Sequence, residues 1–361
     1  MDRWKPGGRG QSELRVKAIA GHAATALERS GLLPLLEALD RDTTRVRVLA
    51  YHRIDDPENE PDLDPGLISA TPAEFDAQLA ALERACHFVS LDDLLAAHRG
   101  ERALPPRSVL LTFDDGYADF ARNAWPILSA RRLPAVLFVP TGFPGEETAG
   151  FWWDRLYAAI RRTESERLEL PEGGAIDLAR PGAARRAYRA HVSFAKSLPH
   201  DAAMAWLEER IATWADVPSL HRVLDWDALR KLAGEGLAVC AHGRQHALCT
   251  RLGPDALAAD LRDSLARVEA ELGPAAAPRV MAYPASGSDA RVREAVRAAG
   301  FELAFGGRGG VERLPLGEPF EVKRIFVNRH APALVRAWMR PGISRLARSV
   351  LDGRDRMRAG A

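Results

Sequence analysis

The sequence has 361 residues, of which 47% are hydrophobic and 27% charged, a composition typical of a folded globular protein. Its 50 basic and 49 acidic residues leave a net charge of +1, so no overall field attracts nucleic acid, and no nucleic-acid partner is expected. The cysteines, at positions 86, 240 and 249, lack Cys-x-x-Cys spacing, which argues against a disulfide framework and against a thiolate zinc site.

The first 45 residues precede any strand-like run and predict a helical extension. No apolar run of signal-peptide length follows Met1. No stretch reaches the roughly 18 uncharged apolar residues that span a bilayer. From these features we expect a cytoplasmic protein.

Short apolar runs recur through residues 46–330, each followed by a turn signal and then by helical periodicity, a pattern typical of a parallel sheet with crossover helices. Most are apolar at nearly every position, as in strands buried on both faces. The seven runs are Val46–His52, Ser108–Asp115, Ala135–Pro140, Leu237–His242, Arg279–Pro284, Leu303–Gly306 and Ile325–Asn328. They predict an α/β fold whose sheet closes, or nearly closes, into a barrel. Capping boxes at Thr71–Glu74 and Ser90–Asp93 predict helix starts just outside the barrel wall.

Two further segments lack strand patterns. Residues from about 151 to 232 have helical spacing, which predicts a helical insertion between two barrel strands. Its tryptophans could stack on sugar rings, although filling the insertion's own core is their more ordinary role. Residues 331–361 predict a basic helical tail, which could contact an anionic membrane peripherally or pack on the barrel as a solvated helix.

Two adjacent carboxylates, Asp114 and Asp115, end the second strand run and are followed by Gly116. Neighbouring strand side chains point to opposite sides unless the strand ends and the backbone turns, which a glycine permits. Both carboxylates can then lie beside the same catalytic centre. A cation held by Asp115 would keep Asp114 ionised, so that Asp114 can act as a general base on water. Ordinary loop aspartates or a helix N-cap are the alternative.

Two histidines four residues apart, His242 and His246, follow the fourth strand run. With Asp115 they supply two nitrogens and one carboxylate oxygen, leaving positions open for water and substrate, as a catalytic metal site requires. Alone, the spacing is a weak indication, since two unrelated surface histidines would match it. Because both clusters end strands, and barrels carry their sites where strands end, we expect them to converge.

The run from Thr112 to Gly116 and the later pair His242 and His246 resemble the first two motifs of the polysaccharide deacetylase superfamily. The resemblance spans about residues 46–330. It implies a distorted (β/α)7 barrel that hydrolyses N-acetyl, sometimes O-acetyl, groups of glycans. It also implies Asp114 as the base and Asp115, His242 and His246 as metal ligands.

An acid must protonate the departing amine, and His52, which ends the first strand run, suits this role because imidazoles change charge near neutral pH. It resembles a Tyr-His segment of exopolysaccharide-acting members of the family. A histidine that only caps the strand is the alternative, and His330 is the competing candidate for the acid.

Residues 281–287 resemble the third motif of the family. The residues expected at the substrate or the oxyanion are Tyr117, Tyr283, Pro284 and Ala285, the last through its backbone N–H. The family usually has an arginine two residues before the proline to steady the base, and this chain has Ala282. We therefore expect Arg324, on the last strand, to be the base partner. A second departure is Gly243, where the family prefers a serine or threonine.

The leading hypothesis is a hydrolase that releases acetate from an N-acetylhexosamine-containing glycan. Zn²⁺ is the first expectation for the ion, with Co²⁺, Ni²⁺ or Fe²⁺ as alternatives. Two other classes stay open. Two histidines and a carboxylate also define non-haem iron oxygenases. The missing third-motif arginine and the tryptophans of the insertion would suit a non-catalytic glycan-binding module.

Overall fold

The structure, a computed structural model, describes residues 22–146, 150–217, 220, 222–274, 277–329 and 332–340. Parallel strands form a closed barrel, because the first strand pairs with both the second and the last. The seven barrel strands are β1 (Arg45–Tyr51), β2 (Ser108–Phe113), β3 (Val136–Val139), β4 (Ala238–Ala241), β5 (Val280–Ala282), β6 (Leu303–Arg308) and β7 (Val322–Phe326). The predicted seven-stranded α/β barrel is thereby confirmed.

Helices surround this barrel. They are α1 (Leu32–Leu39), α2 (Pro72–Glu83), α3 (Leu91–His98), α4 (Trp125–Ala130), α5 (Trp152–Arg162), α6 (Ala183–Ser197), α7 (His200–Trp214), α8 (Trp226–Gly234), α9 (Pro254–Leu272), α10 (Ala290–Ala298) and α11 (Pro332–Trp338). The capping boxes predicted at Thr71 and Ser90 begin α2 and α3, each with both reciprocal hydrogen bonds.

Short strands flank the barrel. His87–Phe88 pairs in parallel with β2, and Glu312–Arg313 pairs antiparallel with β1. Arg53–Ile54 pairs with Ile68–Ala70 in a separate parallel pair. The chain directly after β1 is therefore held by residues 68–70.

Strand β2 shows why the barrel strands are apolar at nearly every position. All of its residues are buried, and they alternate between two hydrophobic clusters. Val109, Leu111 and Phe113 belong to the layer between the barrel and its helices. Leu110 belongs to the cluster that fills the barrel, so the same strand faces protein on both sides.

Two strand predictions need correction. The last strand begins at Val322 rather than at Ile325, because it pairs with β6 before it reaches β1. The second strand ends at Phe113, and both aspartates lie beyond it, because Asp115 has a φ of 74°.

The segment between β3 and β4 contains α5, α6 and α7, close to the predicted helical stretches. The expectation that it contains no strand is wrong, because Arg167–Glu169 and Ala175–Asp177 form an antiparallel hairpin. These strands have only three residues each, and their turn uses Gly173 and Gly174, both at positive φ. Such short, mostly polar strands leave little periodicity for a sequence to show.

The terminal segments pack beside each other. Residues 22–29 are helical and precede α1, and Ala24 shares a small hydrophobic cluster with residues of α11. In α11 the residues Ala333 to Ala337 are buried, so the described part of the predicted basic tail packs on the protein rather than facing outward. Residues 341–361 of the tail lie outside the described residues, as do residues 1–21 of the extension. Within the described chain, no helix combines the length and apolar character needed to cross a membrane.

Candidate active site

Three of the predicted site residues converge at the carboxyl ends of the strands. Asp115 follows β2, and His242 and His246 follow β4. One ligand atom from each of these buried residues lies within 4.8 Å of the others. The Oδ1 atom of Asp115 is 3.5 Å from Nε2 of His242 and 3.2 Å from Nε2 of His246. Residues that lie more than a hundred positions apart in the sequence therefore meet at one point.

The backbone at this point adopts conformations that side chains other than glycine rarely take. Asp115 has a φ of 74° and His246 a φ of 54°. Such positive φ values cost free energy and persist where the surrounding structure imposes them, often at functional sites. Gly116, also at positive φ, turns the chain where an added Cβ would lie 3.1 Å from Val139. The turn therefore aims the Asp115 carboxylate at the histidines.

The ring of His242 is fixed by the third motif. Its Nδ1 lies 2.8 Å from the backbone carbonyl oxygen of Ala282, the residue that replaces the usual arginine. A carbonyl accepts only, so Nδ1 carries a proton and Nε2 is the ring nitrogen that faces Asp115. A backbone carbonyl holding a histidine in this way is a common arrangement behind metal ligands.

The second histidine, His246, is held by aromatic rings. Its ring lies 4.7 Å from that of Trp153 and 5.7 Å from that of Phe151, measured between centroids. Burial lowers its pKa below the ordinary histidine value, which favours the neutral form that binds metals. Trp153 lies at the start of the insertion. One tryptophan of the insertion therefore contacts the site by packing against His246.

The donor set fits a divalent cation. Asp115 Oδ1 is buried with no hydrogen-bond partner among the described residues, although the Nε2 atoms of both histidines face it. Burial alone would raise the pKa of Asp115, but the two imidazoles hold that pKa well below its usual value, so the carboxylate is charged. Ligand atoms around a tetrahedral Zn²⁺ are about 3.3 Å apart, close to the two distances observed here. A cation would satisfy the unpartnered oxygen.

Asp114 lies beside this cluster and is paired inside the barrel. Arg324 of β7 donates from Nη1 to Oδ1 over 2.7 Å and from Nη2 to Oδ2 over 2.8 Å. Burial alone would raise the pKa of Asp114, but the charge of Arg324, with a contribution from His242, holds that pKa below the ordinary value. The guanidinium also lies 5.7 Å from the ring centroid of Phe138 and 5.2 Å from that of Phe326. The contact expected between Arg324 and Asp114 is present.

His52 follows β1 and is the only one of these side chains with substantial exposure, 25%. Its Nε2 lies 3.9 Å from Oδ2 of Asp114, on the same side of the cluster. The backbone N–H of His52 donates to Ser69 Oγ over 2.9 Å, and its ring stacks near Phe326. The competing acid candidate, His330, lies outside the described residues.

The structure does not bring the two predicted tyrosine hydroxyls to the cluster. The hydroxyl of Tyr117 donates to Asp154 Oδ2 over 2.6 Å and accepts from Trp153 Nε1 over 3.0 Å. The hydroxyl of Tyr283 donates to the carbonyl of Phe320 over 2.9 Å. Both side chains are buried, so we assign them to the core behind the site and correct the expectation that they face substrate.

Pro284 and Ala285 lie in a 3-10 turn, Pro284–Ser286, directly after β5. Pro284 is buried, whereas Ala285 is exposed and has a φ of 52°. The positive φ turns the backbone of Ala285 at the carboxyl end of a barrel strand. Its N–H stays a predicted oxyanion donor.

One residue that matters to the site gave no indication in the sequence. Asp260 of α9 accepts from the backbone N–H of Arg244, which lies between His242 and His246, over 3.1 and 3.2 Å. A Cβ added at Gly243 would lie 3.0 Å from Asp260 Oδ2. The glycine and the aspartate thus form one arrangement that braces the histidine loop, in place of the usual serine or threonine. On α9 the aspartate is indistinguishable by pattern from a solvated helix residue.

Fold and site together define a class: a closed seven-stranded (β/α) barrel with a candidate two-histidine, one-carboxylate metal centre at the carboxyl ends of its strands. The family model described as polysaccharide deacetylase matches residues 101–304, more than half of the chain. The protein therefore belongs to the polysaccharide deacetylase family, which confirms the resemblance found in the sequence.

Two curated relatives are named poly-β-1,6-N-acetyl-D-glucosamine N-deacetylase. The protein of Escherichia coli strain K12 is 36% identical over 95 residues, which are 26% of this chain and 13% of the relative. The protein of Staphylococcus aureus strain MSSA476 is 34% identical over 80 residues, 22% of this chain and 27% of the relative. The matched regions thus span only a small part of each relative.

Two solved structures share the fold. The deacetylase PplD of Streptococcus pyogenes, in complex with acetate, has a TM-score of 0.56 at 17% identity, over 83% of this chain and 100% of that one. IcaB from Ammonifex degensii has a TM-score of 0.54 at 21% identity, over 82% of this chain and 97% of that one. These similarities extend the shared barrel well beyond the residues that the family model covers.

Proposed function

We propose that this protein is a metal-dependent hydrolase that removes acetyl groups from a glycan, with the N-acetyl group of a hexosamine as the preferred target. The observation that carries the proposal is the cluster of Asp115, His242 and His246 with Asp114 beside it. Membership of the polysaccharide deacetylase family supports the same reaction.

The chain's own residues have distinct tasks in this reaction. Asp115, His242 and His246 would hold the cation, which when bound polarises the acetyl carbonyl and acidifies water. Asp114 accepts the proton of the attacking water, and Arg324 keeps its carboxylate ionised and oriented. Water oxygen adds to the carbonyl carbon, the C–N bond breaks, and His52 donates a proton to the departing amine. The products are acetate and the free amino sugar.

The positions of His52 and Asp114 suit a base and an acid that act on one substrate carbon. Their nearest side-chain atoms are 3.9 Å apart, so both reach the same small volume above the cluster. His52 is partly exposed, as an acid that meets a large substrate must be. The backbone N–H of Ala285, in the turn that follows β5, is the proposed donor to the developing oxyanion.

The substrate class rests on the relatives. The E. coli and S. aureus relatives are named for a β-1,6-linked polymer of N-acetylglucosamine. We propose a glycan that contains N-acetylhexosamine, and Zn²⁺ as the bound ion, since nitrogen and carboxylate donors in a hydrolytic site suit it best. Co²⁺, Ni²⁺ and Fe²⁺ are the alternative ions.

The contact between Arg324 and Asp114 bears on the alternative of a non-catalytic glycan-binding module. That alternative rested partly on the absence of the third-motif arginine at position 282. A buried arginine on another strand contacts the same aspartate, so the base does not lack a partner. We therefore rank hydrolysis first.

The test is acetate release from β-1,6-linked N-acetylglucosamine oligomers by the purified full chain. We expect activity that chelation abolishes and Zn²⁺ restores, and a loss of at least about a hundredfold in Asp114→Asn. Asp255→Asn changes an exposed aspartate of α9, and as the matched control it should keep full activity. Full activity after chelation, or in Asp114→Asn, would contradict the mechanism. Sugar binding without acetate release would favour the binding module, and iron-dependent oxygen consumption would favour an oxygenase.

A further inference from the structure

The large hydrophobic side chains that are exposed on the described part of the chain all lie in one short segment. They are Leu27 (36% exposed), Leu32 (44%), Leu35 (56%), Leu36 (43%) and Leu39 (70%), which we call the leucine face. Single exposed leucines are ordinary on protein surfaces, whereas a contiguous group indicates an interaction surface. The leucine face lies outside the active site and has no part in the proposed reaction.

Helix α1 carries most of the leucine face, and its buried and exposed sides differ from those of an ordinary surface helix. Its buried residues are Leu33 and the acidic Glu37, one turn apart. The Glu37 carboxylate accepts from Nε of Arg336 on α11 over 3.0 Å. A surface helix ordinarily buries its apolar stripe and exposes its charges. Here the charge is buried and the apolar stripe is exposed.

Polar contacts hold α1 in this orientation. Arg107 donates to the carbonyl of Glu37 over 2.9 Å, and Arg340 donates to the carbonyl of Leu36 over 2.9 Å. Asp40, directly after the helix, pairs with the buried Arg47 of β1. The fold therefore presents the leucines outward through a fixed set of ion pairs and hydrogen bonds.

The charge of the neighbouring sequence indicates what covers this face. Residues 1–21 and residues 341–361 each contain five basic and two acidic residues, although the whole chain has a net charge of only +1. The first segment leads into the helix at residues 22–29, and the second follows α11, whose Arg336 contacts both Glu28 and Glu37. Both basic segments thus join the described chain beside the leucine face. The exposed residues of α1 itself carry no charge.

We propose that the leucine face docks on the surface of an anionic lipid bilayer. An exposed apolar helix face flanked by basic sequence matches the headgroup and acyl boundary of such a bilayer. A second copy of the chain fits less well, because its own basic segments would meet those of the first. This inference does not depend on the proposed function, since it concerns a different surface.

The location of the face sets the orientation of the docked protein. α1 is anchored through Asp40 to Arg47, near the amino end of β1, whereas His52 and the cation ligands lie beyond the carboxyl ends of the strands. Since a strand rises about 3.3 Å per residue, the anchor and the site are on the order of 15 Å apart along β1. The docked protein would keep its site directed toward solution.

The test is co-sedimentation of the full chain with vesicles. We expect it to sediment with vesicles of equal parts phosphatidylcholine and phosphatidylglycerol, and far less with phosphatidylcholine alone. Leu35→Ser/Leu39→Ser should lower the partition coefficient at least about tenfold, since two exposed leucine side chains then no longer transfer apolar surface from water to the bilayer. Leu35→Phe/Leu39→Phe is the matched control and should retain binding. Circular dichroism checks that each variant is folded.

Three outcomes would overturn the proposal. The first is equal partitioning of the wild type and the serine variant, which would assign any binding to the basic segments alone. The second is absence of sedimentation with either vesicle. The third is a wild-type dimer that the serine variant converts to a monomer, with no vesicle binding, which would assign the face to a second copy. Leu32→Ser/Leu36→Ser repeats the test on the same face if the first variant unfolds.

Discussion

At the scale of single residues, the buried pair of Arg324 and Asp114 is the feature with the largest energetic consequence. Both side chains are almost completely buried, and two hydrogen bonds join them. Removing one member of such a pair leaves the other charge uncompensated, which typically costs about 3–5 kcal/mol. The pair thus couples the stability of the barrel to the state of the proposed base.

We expect Arg324→Met to lower the free energy of unfolding by about 3–5 kcal/mol, and Asp114→Asn to lower it less, because asparagine still accepts from the guanidinium. In the double variant the two effects should not add, since each single change removes the same interaction. Urea denaturation of the four proteins measures this coupling. Additive effects would show that the pair contributes nothing as a pair.

We predict that His52 accelerates hydrolysis most for substrates with a poor leaving group. An amine must be protonated as it departs, whereas an activated aryl alcohol leaves without a proton. We expect His52→Ala to slow amide hydrolysis by roughly a hundredfold or more and to slow hydrolysis of an activated aryl acetate far less. The two rates are compared on the same enzyme preparation. Equal losses on both substrates would remove the acid role from His52 and make His330 the next candidate.

At the scale of elements, the histidine loop depends on the helix behind it. The loop between β4 and α9 is bonded on one side to the loop after β3, where Thr141 and Gly142 donate to the carbonyls of Gly243 and Arg244. On the other side it is bonded to Asp260. The loop is thus held between two elements, and the positive φ of His246 is maintained by this framework.

We therefore expect Asp260→Ala to weaken metal binding by about 10–100-fold, the usual effect of removing a group that orients metal ligands. The carboxylate contacts backbone N–H groups rather than a ligand, so the ligand set itself is unchanged. Asp255→Ala removes an exposed aspartate from the first turn of the same helix and is the matched control. Competition with a chromogenic zinc chelator measures both affinities. Equal affinities in the two variants would mean that Asp260 does not brace the loop.

The sequence predicted the elements unevenly, for physical reasons. Barrel strands bury both faces, so their composition alone identified all seven, and the positions of the proposed ligands followed from where the strands end. The hairpin at Arg167–Glu169 was missed because its three-residue strands carry too little pattern. Asp260 was missed because its role comes from a neighbouring loop in space, which no local pattern records.

At the scale of the whole molecule, closure of the barrel explains how site residues from separate segments come together. The pairing of β1 with both β2 and β7 brings His52, Asp114 and Arg324 together from three strands. Local sequence patterns indicated Arg324 as a partner only because it lies on the last strand. The tyrosine hydroxyls could not be placed from the sequence. The motif around Tyr117 does not reveal that its hydroxyl donates to Asp154, a residue of the insertion.

Asp154 gives the fold a predicted pH dependence. Burial raises its pKa to about 7, against about 3.9 in an unfolded chain. The folded state therefore binds the proton of Asp154 more tightly than the unfolded chain does. The resulting contribution to the free energy of unfolding is fully present below about pH 4. It is lost as the pH rises toward 7, by up to about 1.4 kcal/mol per pH unit. We expect Asp154→Asn to flatten this decline in urea denaturation between about pH 4 and 7. Asp62→Asn, a partly exposed control, should keep the wild-type slope.

Cation binding should couple to the stability of the entire barrel, because the proposed ligands follow two strands that are distant in sequence. A ligand that binds only the folded state at a hundred times its Kd adds about 2.7 kcal/mol to the free energy of unfolding. We expect Zn²⁺ to raise the Tm of the chelated protein, and Asp115→Ala and His246→Ala to abolish that rise. Asp114→Asn should keep most of it, since Asp114 is proposed as base and not as ligand. A normal rise in His246→Ala, or none in Asp114→Asn, would reassign the ligand set, and a thermal melt detects either result without any substrate.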